Sequence, residues 1–239
     1  MTEDYISIDL ETTGLNPARD RIIEIGAVKV LKGRIVDSMA ALVNPGRRLG
    51  EHIVGLTGIR DTDLQDAPYI EDILPKLLDF MEELPLLGHS VLFDFSFLKK
   101  AAVDQKRSFE KAGIDTLKIA RKYLAHLEHR NLDYLCGYFR IPHKAHRALE
   151  DATATHTLYL RLAESFYEQE KEGLFEPASL LYRAKYDKPV TIAQKEQLYR
   201  LLQQHNMVLD ADVERMTRSE ASRTINRILG RQSVPPGGE

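Results

Sequence analysis

Tyr5-Ile-Ser-Ile-Asp-Leu-Glu11, followed at once by Thr12-Thr13-Gly14, decides how the rest of the chain reads. The run is apolar and rich in β-branched residues, which predicts a buried strand. Alternate residues of a strand point to one face, so the carboxylates of Asp9 and Glu11 project side by side. Two acids forced together at the end of a buried strand repel each other and cost stability unless a cation lies between them. A lone Asp-x-Glu is most simply a turn-capping Asp beside a solvated Glu, but this pair has company.

Gly88-His89-Ser90-Val-Leu-Phe-Asp94 follows a second apolar stretch, Leu84-Pro-Leu-Leu87, and puts an Asp where a helix should begin. His146-Arg-Ala-Leu-Glu-Asp151 opens the strongly helical run Ala148–Phe166. Taken singly, Asp94 reads as an N-cap, His146 as a surface imidazole and Asp151 as a favourable first-turn charge. Together with Asp9 and Glu11 they form an oxygen-rich set of the kind that hard divalent cations such as Mg²⁺ or Mn²⁺ select.

These three motifs, in this order, resemble the DEDD family of 3′→5′ exonucleases in its histidine subclass. Asp9-Leu-Glu-Thr-Thr-Gly-Leu15 matches the first family motif, Gly88-His89…Phe93-Asp94 the second, and His146-Arg-Ala-Leu-Glu-Asp151 the third. Gly55-Leu-Thr-Gly-Ile…Ala67-Pro68 and Asp115-Thr-Leu-Lys-Ile-Ala-Arg121 are weaker echoes. The resemblance covers roughly the first 167 residues. One departure is Ser90, where many relatives carry Asn; it puts in doubt a polar contact to substrate there, and leaves the acids untouched.

The resemblance implies the following site. Asp9, Glu11 and Asp151 hold one divalent cation, Asp9 bridges to a second, and Asp94 completes the set through water, the ions being Mg²⁺ or Mn²⁺. His146 is the general base; an ordinary imidazole pKa of about 6.5 suits that task near neutrality. Thr12, Thr13 and Leu15 meet the terminal nucleotide, although Thr13-Gly14 also reads simply as a turn. His89 reads as a structural residue of the second motif, and His143, next to Pro142, as a loop residue. The implied activity is release of nucleoside 5′-monophosphates from 3′ ends of single-stranded DNA, in proofreading or repair. An RNA-directed 3′→5′ exoribonuclease is the alternative within the class. A non-catalytic nucleic-acid- or polymerase-binding module is the alternative outside it, and such a module should have lost a ligand.

The fold that follows is α/β: a mixed β-sheet with flanking helices, the ribonuclease H-like exonuclease fold, plus a small C-terminal helical module. Strands are expected at Tyr5–Leu10, Arg21–Leu31, Gly33–Val43 and Leu86–Gly88, with Lys32-Gly33 as a turn. Helices are expected at Ile70–Glu83, Phe95–Val103, Asp115–Leu124, Asn131–Phe139 and Ala148–Phe166, with short pieces around Glu51–Leu56 and Asp61–Gln65. Residues 1–170 form the exonuclease domain, 171–189 a linker, 190–231 the helical module and 232–239 a disordered tail. Capping boxes Thr191-Ile-Ala-Gln194 and Thr217-Arg-Ser-Glu220 start the two helices of the module.

The chain of 239 residues is 43% hydrophobic, with no run approaching the roughly 20 residues of a membrane span. The single cysteine, Cys136, lies in an apolar pattern and reads as core. With no secretory leader in view, a cytoplasmic location without membrane association is expected. A net charge of −3 excludes a protein that coats nucleic acid, but two bound divalent ions would reverse the sign at the site. The charge is uneven: Tyr182–Arg231 has 10 Lys/Arg against 6 Asp/Glu, and residues 1–181 have 23 against 29. The module is accordingly a candidate grip on nucleic acid or a docking point for a polymerase or repair partner.

Overall fold

Period-two alternation along Tyr5–Thr12 builds the first strand, β1, and divides its side chains between two cores. Ile6, Ile8 and Leu10 join one apolar cluster, while Tyr5 belongs to the other. Ser7 shares the Tyr5 face and donates its hydroxyl to the Ala152 carbonyl at 2.6 Å. Asp9 and Glu11 follow on that face by the same alternation. The computed structural model in which this is seen describes residues 1–143 and 146–230.

Strands β2 (Ile22–Leu31) and β3 (Arg34–Leu42) form the expected hairpin. Lys32 and Gly33, with φ of 50° and 70°, supply the two left-handed residues that a tight primed turn requires. β4 (Leu86–Gly88) and β5 (Ala112–Asp115) run parallel to β1, and β6 (Ala178–Ser179) closes the edge antiparallel to β5. The sheet order is β3-β2-β1-β4-β5-β6. Helices α1 (Glu51–Thr57) and α2 (Asp61–Leu64) are short; α3 (Ile70–Met81) and α4 (Val91–Asp104) cover one face of the sheet through Leu74, Leu77, Phe95 and Leu98. Helices α5 (Thr116–Tyr123), α6 (Leu132–Phe139) and α7 (Ala148–Phe166) cover the other through Ile119, Leu135, Leu158 and Leu162. Cys136 is buried in this second core.

Three segments differ from expectation. Helix α4 starts at Val91, not Phe95, so Asp94 lies in its first turn and does not cap it. Asp115 ends strand β5 and caps α5, accepting from the Leu117 N–H at 3.0 Å. The four residues of β5 are too few to show alternation. The segment expected as linker, 171–189, is largely part of the sheet domain. Phe175 is fully enclosed against Tyr159, and β6 pairs through Gly113, where a Cβ would lie 2.7 Å from Leu180. A two-residue strand leaves no periodic signal.

The chain divides into two units, Met1–Pro45 with Leu49–Ala184, and Gly46–Arg48 with Lys185–Glu239. In the second, α8 (Ile192–Gln204) and α9 (Arg218–Gly230) each begin with the expected capping box, and pack through Leu198, Leu201, Ala221, Ile225 and Ile228. The backbone of Gly46–Arg48 bonds to Asp210 and Asp212 in this unit. The expected tail, 232–239, lies outside the described residues. No helix among the described residues is long and apolar enough to cross a membrane.

One glycine sets the approach of α7 to the sheet. Gly26 of β2 pairs with Asp9 of β1, and a Cβ there would stand 2.0 Å from the Ala148 carbonyl carbon and 2.1 Å from the Leu149 nitrogen. Only a missing side chain lets the start of α7 touch the sheet beside Asp9. Gly26→Ala is therefore expected to cost more than about 3 kcal/mol, since backbone cannot yield as a flexible side chain can. A denaturant melt of the two proteins measures this.

Candidate active site

The first turn of α7 is capped from outside. Its N-cap residue, Arg147, makes no side-chain cap. Instead Glu24 of β2 accepts the Ala148 N–H at 3.1 Å and receives the Arg147 guanidinium at 2.9 and 3.1 Å. Carboxylate and Arg together fix the helix end over β1. This delivers Asp151 to the face that carries Asp9 and Glu11. Neither Glu24 nor Arg147 was expected to matter, although one acid inside the apolar run Ile22–Val30 is a readable signal of a buried partner.

Asp94 arrives from the opposite side. Strand β4 pairs with β1 only at Ile6 and Ser7. Further along, the Leu10 N–H donates to Asp94 Oδ1 at 3.1 Å, so the carboxylate satisfies a backbone group that the short strand leaves over. Four carboxylates from three distant segments thus meet at the carboxyl end of a parallel strand, the usual location of sites in such sheets. Glu11, Asp94 and Asp151 are buried, and Asp9 partly so.

The two histidines of the 143–151 segment meet Asp151 in different ways. His146 has a left-handed backbone, φ 66°, unusual for a residue with a Cβ. Its N–H donates to Asp151 Oδ2 at 3.0 Å. One ring nitrogen lies with carboxylate oxygens of Glu11 and Asp151 in a group whose donor atoms are all within 4.8 Å of one another, a geometry able to hold a metal ion. His143 lies in a loop, as expected, and is also pinned between two acids. Nδ1 meets Asp133 Oδ1 at 3.0 Å, and Nε2 makes a short contact with Asp151 Oδ1. Nothing in the sequence pairs residue 143 with Asp133, which comes from the first turn of α6.

The remaining candidates take simpler places. His89 joins Thr116 and the Arg130 carbonyl, tying β4 to α5. Thr12 donates its hydroxyl to the Gly14 carbonyl at 2.7 Å, and the Thr13 hydroxyl accepts the Arg21 N–H at 2.9 Å, so both shape the turn after β1. Leu15, 84% exposed, stands out from that turn with its side chain in solvent.

The electrostatics of the cluster are adverse. Burial, then the charges of Asp94, Asp151, Glu11 and Glu24, hold the Asp9 carboxyl well above the ordinary range. Burial, then Asp151 and Glu24, push Glu11 up to about 7, against the pull of Arg147. Burial also raises Asp94 and Asp151; the Leu10 N–H opposes it in the first, and His143 in the second. Crowded oxygens short of positive charge fit a hard divalent cation, and the donor set passes that chemical test.

A pH dependence follows. Glu11 has an ordinary value of 4.5 and about 7 in the fold, so the native state binds more protons than the unfolded chain between those limits. Stability is then greatest below about pH 4.5 for this group and falls as pH rises toward 7, by roughly 3 kcal/mol for Glu11 alone. In EDTA, the melting temperature should be lower at pH 8 than at pH 5, and Mg²⁺ added at pH 8 should recover much of the difference. A flat profile in EDTA would contradict the crowding.

Comparison with known proteins agrees with this geometry. Residues 6–159 match the RNase_T exonuclease family. The chain is 36% identical over 217 residues to the DNA polymerase III PolC-type of Caldanaerobacter subterraneus subsp. tengcongensis, covering 85% of this chain but only 15% of that much longer protein. It is 33% identical over 165 residues to the DNA polymerase III subunit epsilon of Aquifex aeolicus, covering 68% of this chain and 82% of that one. Among solved structures, exonuclease X in complex with 5′ overhanging duplex DNA superposes with a TM-score of 0.56 at 26% identity, over 68% of this chain and 93% of that one. The family uses divalent metals. The chain belongs to the RNase_T exonuclease family, the DEDD-type 3′→5′ exonucleases, and has their ribonuclease H-like fold.

Proposed function

We propose that the protein hydrolyses single-stranded 3′ ends of DNA to nucleoside 5′-monophosphates, as a proofreading or repair nuclease in the cytoplasm. The observation that carries this is the meeting of Asp9, Glu11, Asp94 and Asp151 with His146 at the end of β1. The likeness to DNA polymerase III chains supports DNA over RNA, and a polymerase as partner.

Asp9, Glu11, Asp94 and Asp151 would hold two divalent cations, Mg²⁺ or Mn²⁺, which when bound supply activated water and neutralise charge on the phosphate and the departing 3′-oxygen. His146 takes the proton from the attacking water at its ring nitrogen, while its backbone N–H holds Asp151. His143, braced by Asp133, keeps Asp151 from turning away. Leu15, set by the Thr12–Thr13 turn, offers an apolar wedge to the last base, a grip tolerant of sequence.

The test is a matched pair of single strands, DNA and RNA, together with a DNA primer–template carrying a 3′ mismatch. The proposal expects faster trimming of DNA than RNA, and of the mismatched than of the paired 3′ end. Preference for RNA would move the assignment to an exoribonuclease.

A further inference from the structure

The two units carry opposite charge. The unit that holds the carboxylate cluster has 22 Lys/Arg against 29 Asp/Glu, and the other has 11 against 7. An acidic nuclease unit repels a polyphosphate strand at long range, whereas a basic patch attracts it. The location of the positive charge in the second unit therefore matters.

Most of the second unit's acids are committed. Glu220 pairs with Arg47 and closes the capping box with Thr217, Glu214 takes Lys195 and Tyr199, and Asp210 takes Arg48. Glu220 is the one acid within α9, and it is buried. The solvent side of the helix carries Arg218, Ser222, Arg223, Asn226 and Arg227, all exposed. No acidic partner meets Arg218, Arg223 or Arg227 among the described residues. Arg223 and Arg227 stand one turn apart, a like-charge spacing that destabilises a helix when nothing anionic lies over it. Guanidinium forks with short polar side chains between them are suited to phosphodiester oxygens. The helix is held from beneath by Ala221, Ile225 and Ile228, and from the side by Gln194, which donates to the Arg218 carbonyl and to Ser222 Oγ. The face is thus presented by a fixed scaffold.

We propose that the outer face of α9, through Arg218, Arg223 and Arg227, binds the phosphodiester backbone of the single-stranded DNA whose 3′ end the nuclease unit degrades. The inference rests on the proposed nuclease function for its substrate, but the contact itself needs no cleavage.

Binding of a 5′-labelled 30-nucleotide strand to the full chain is measured by fluorescence anisotropy in EDTA, over a series of salt concentrations. The Arg223→Gln/Arg227→Gln variant is compared with Lys76→Gln/Lys171→Gln, which changes net charge equally on exposed positions of the other unit. A common fold is checked by circular dichroism. The Arg variant is expected to bind about tenfold more weakly, with the log–log salt slope reduced by roughly 1.4 for two lost phosphate contacts, and the Lys variant to stay near the parent. Unchanged affinity in the Arg variant, or equal losses in both, overturns the proposal. Trimming of a five-nucleotide strand with Mg²⁺ is followed separately in the parent. No trimming there would fail the nuclease reading and leave the binding result to stand or fall alone.

Discussion

Asp9→Asn is expected to remove activity and to raise the stability of the metal-free protein together. The carboxylate of Asp9 feels Asp94, Asp151, Glu11 and Glu24 at once, and burial denies it water. Replacing it by a neutral amide of the same shape relieves four repulsions, so the melting temperature in EDTA at pH 8 should rise. On the proposed two-cation reading the same change also removes a metal donor, and turnover of a labelled strand should fall by at least ~10³-fold. A variant both inactive and less stable than its parent would mean that Asp9 is held by favourable contacts and not by crowding.

His146→Ala and His143→Ala are expected to separate cleanly. Loss of a general base costs roughly 10²–10⁴-fold in kcat, and added imidazole should restore part of it for His146→Ala. His143 touches Asp151 and Asp133, and on the proposed reading it only positions Asp151. Its removal should raise the Mg²⁺ concentration needed for half-maximal rate by roughly 10–100-fold, with a smaller loss at saturating metal and no imidazole rescue. Rescue of the His143 variant but not of the His146 variant would exchange the two roles.

What was legible in the chain and what was not divides along physical lines. Strand β1, the Lys32-Gly33 hairpin and helix α7 announce themselves because each is long enough to show its period, and the two capping boxes because their chemistry is local. The acids of the cluster were legible from motif spacing. Gly26 was not, since its meaning is a distance of 2.0 Å to a backbone more than 120 residues later. Glu24, Arg147 and the Asp133–His143–Asp151 chain were missed for the same reason: each acts through a partner that only the fold supplies. Strand β6 and Phe175 were hidden in a polar stretch, because two residues of pairing and one buried ring leave no pattern.

The most direct measurement is cleavage of a 5′-labelled single-stranded oligonucleotide by the folded protein, with Mg²⁺ and with EDTA. The account predicts a ladder that shortens one nucleotide at a time from the 3′ end, present with Mg²⁺ and absent with EDTA. A labelled mononucleotide released at once from the 5′ end, an internal cut, or the same ladder in EDTA would contradict it.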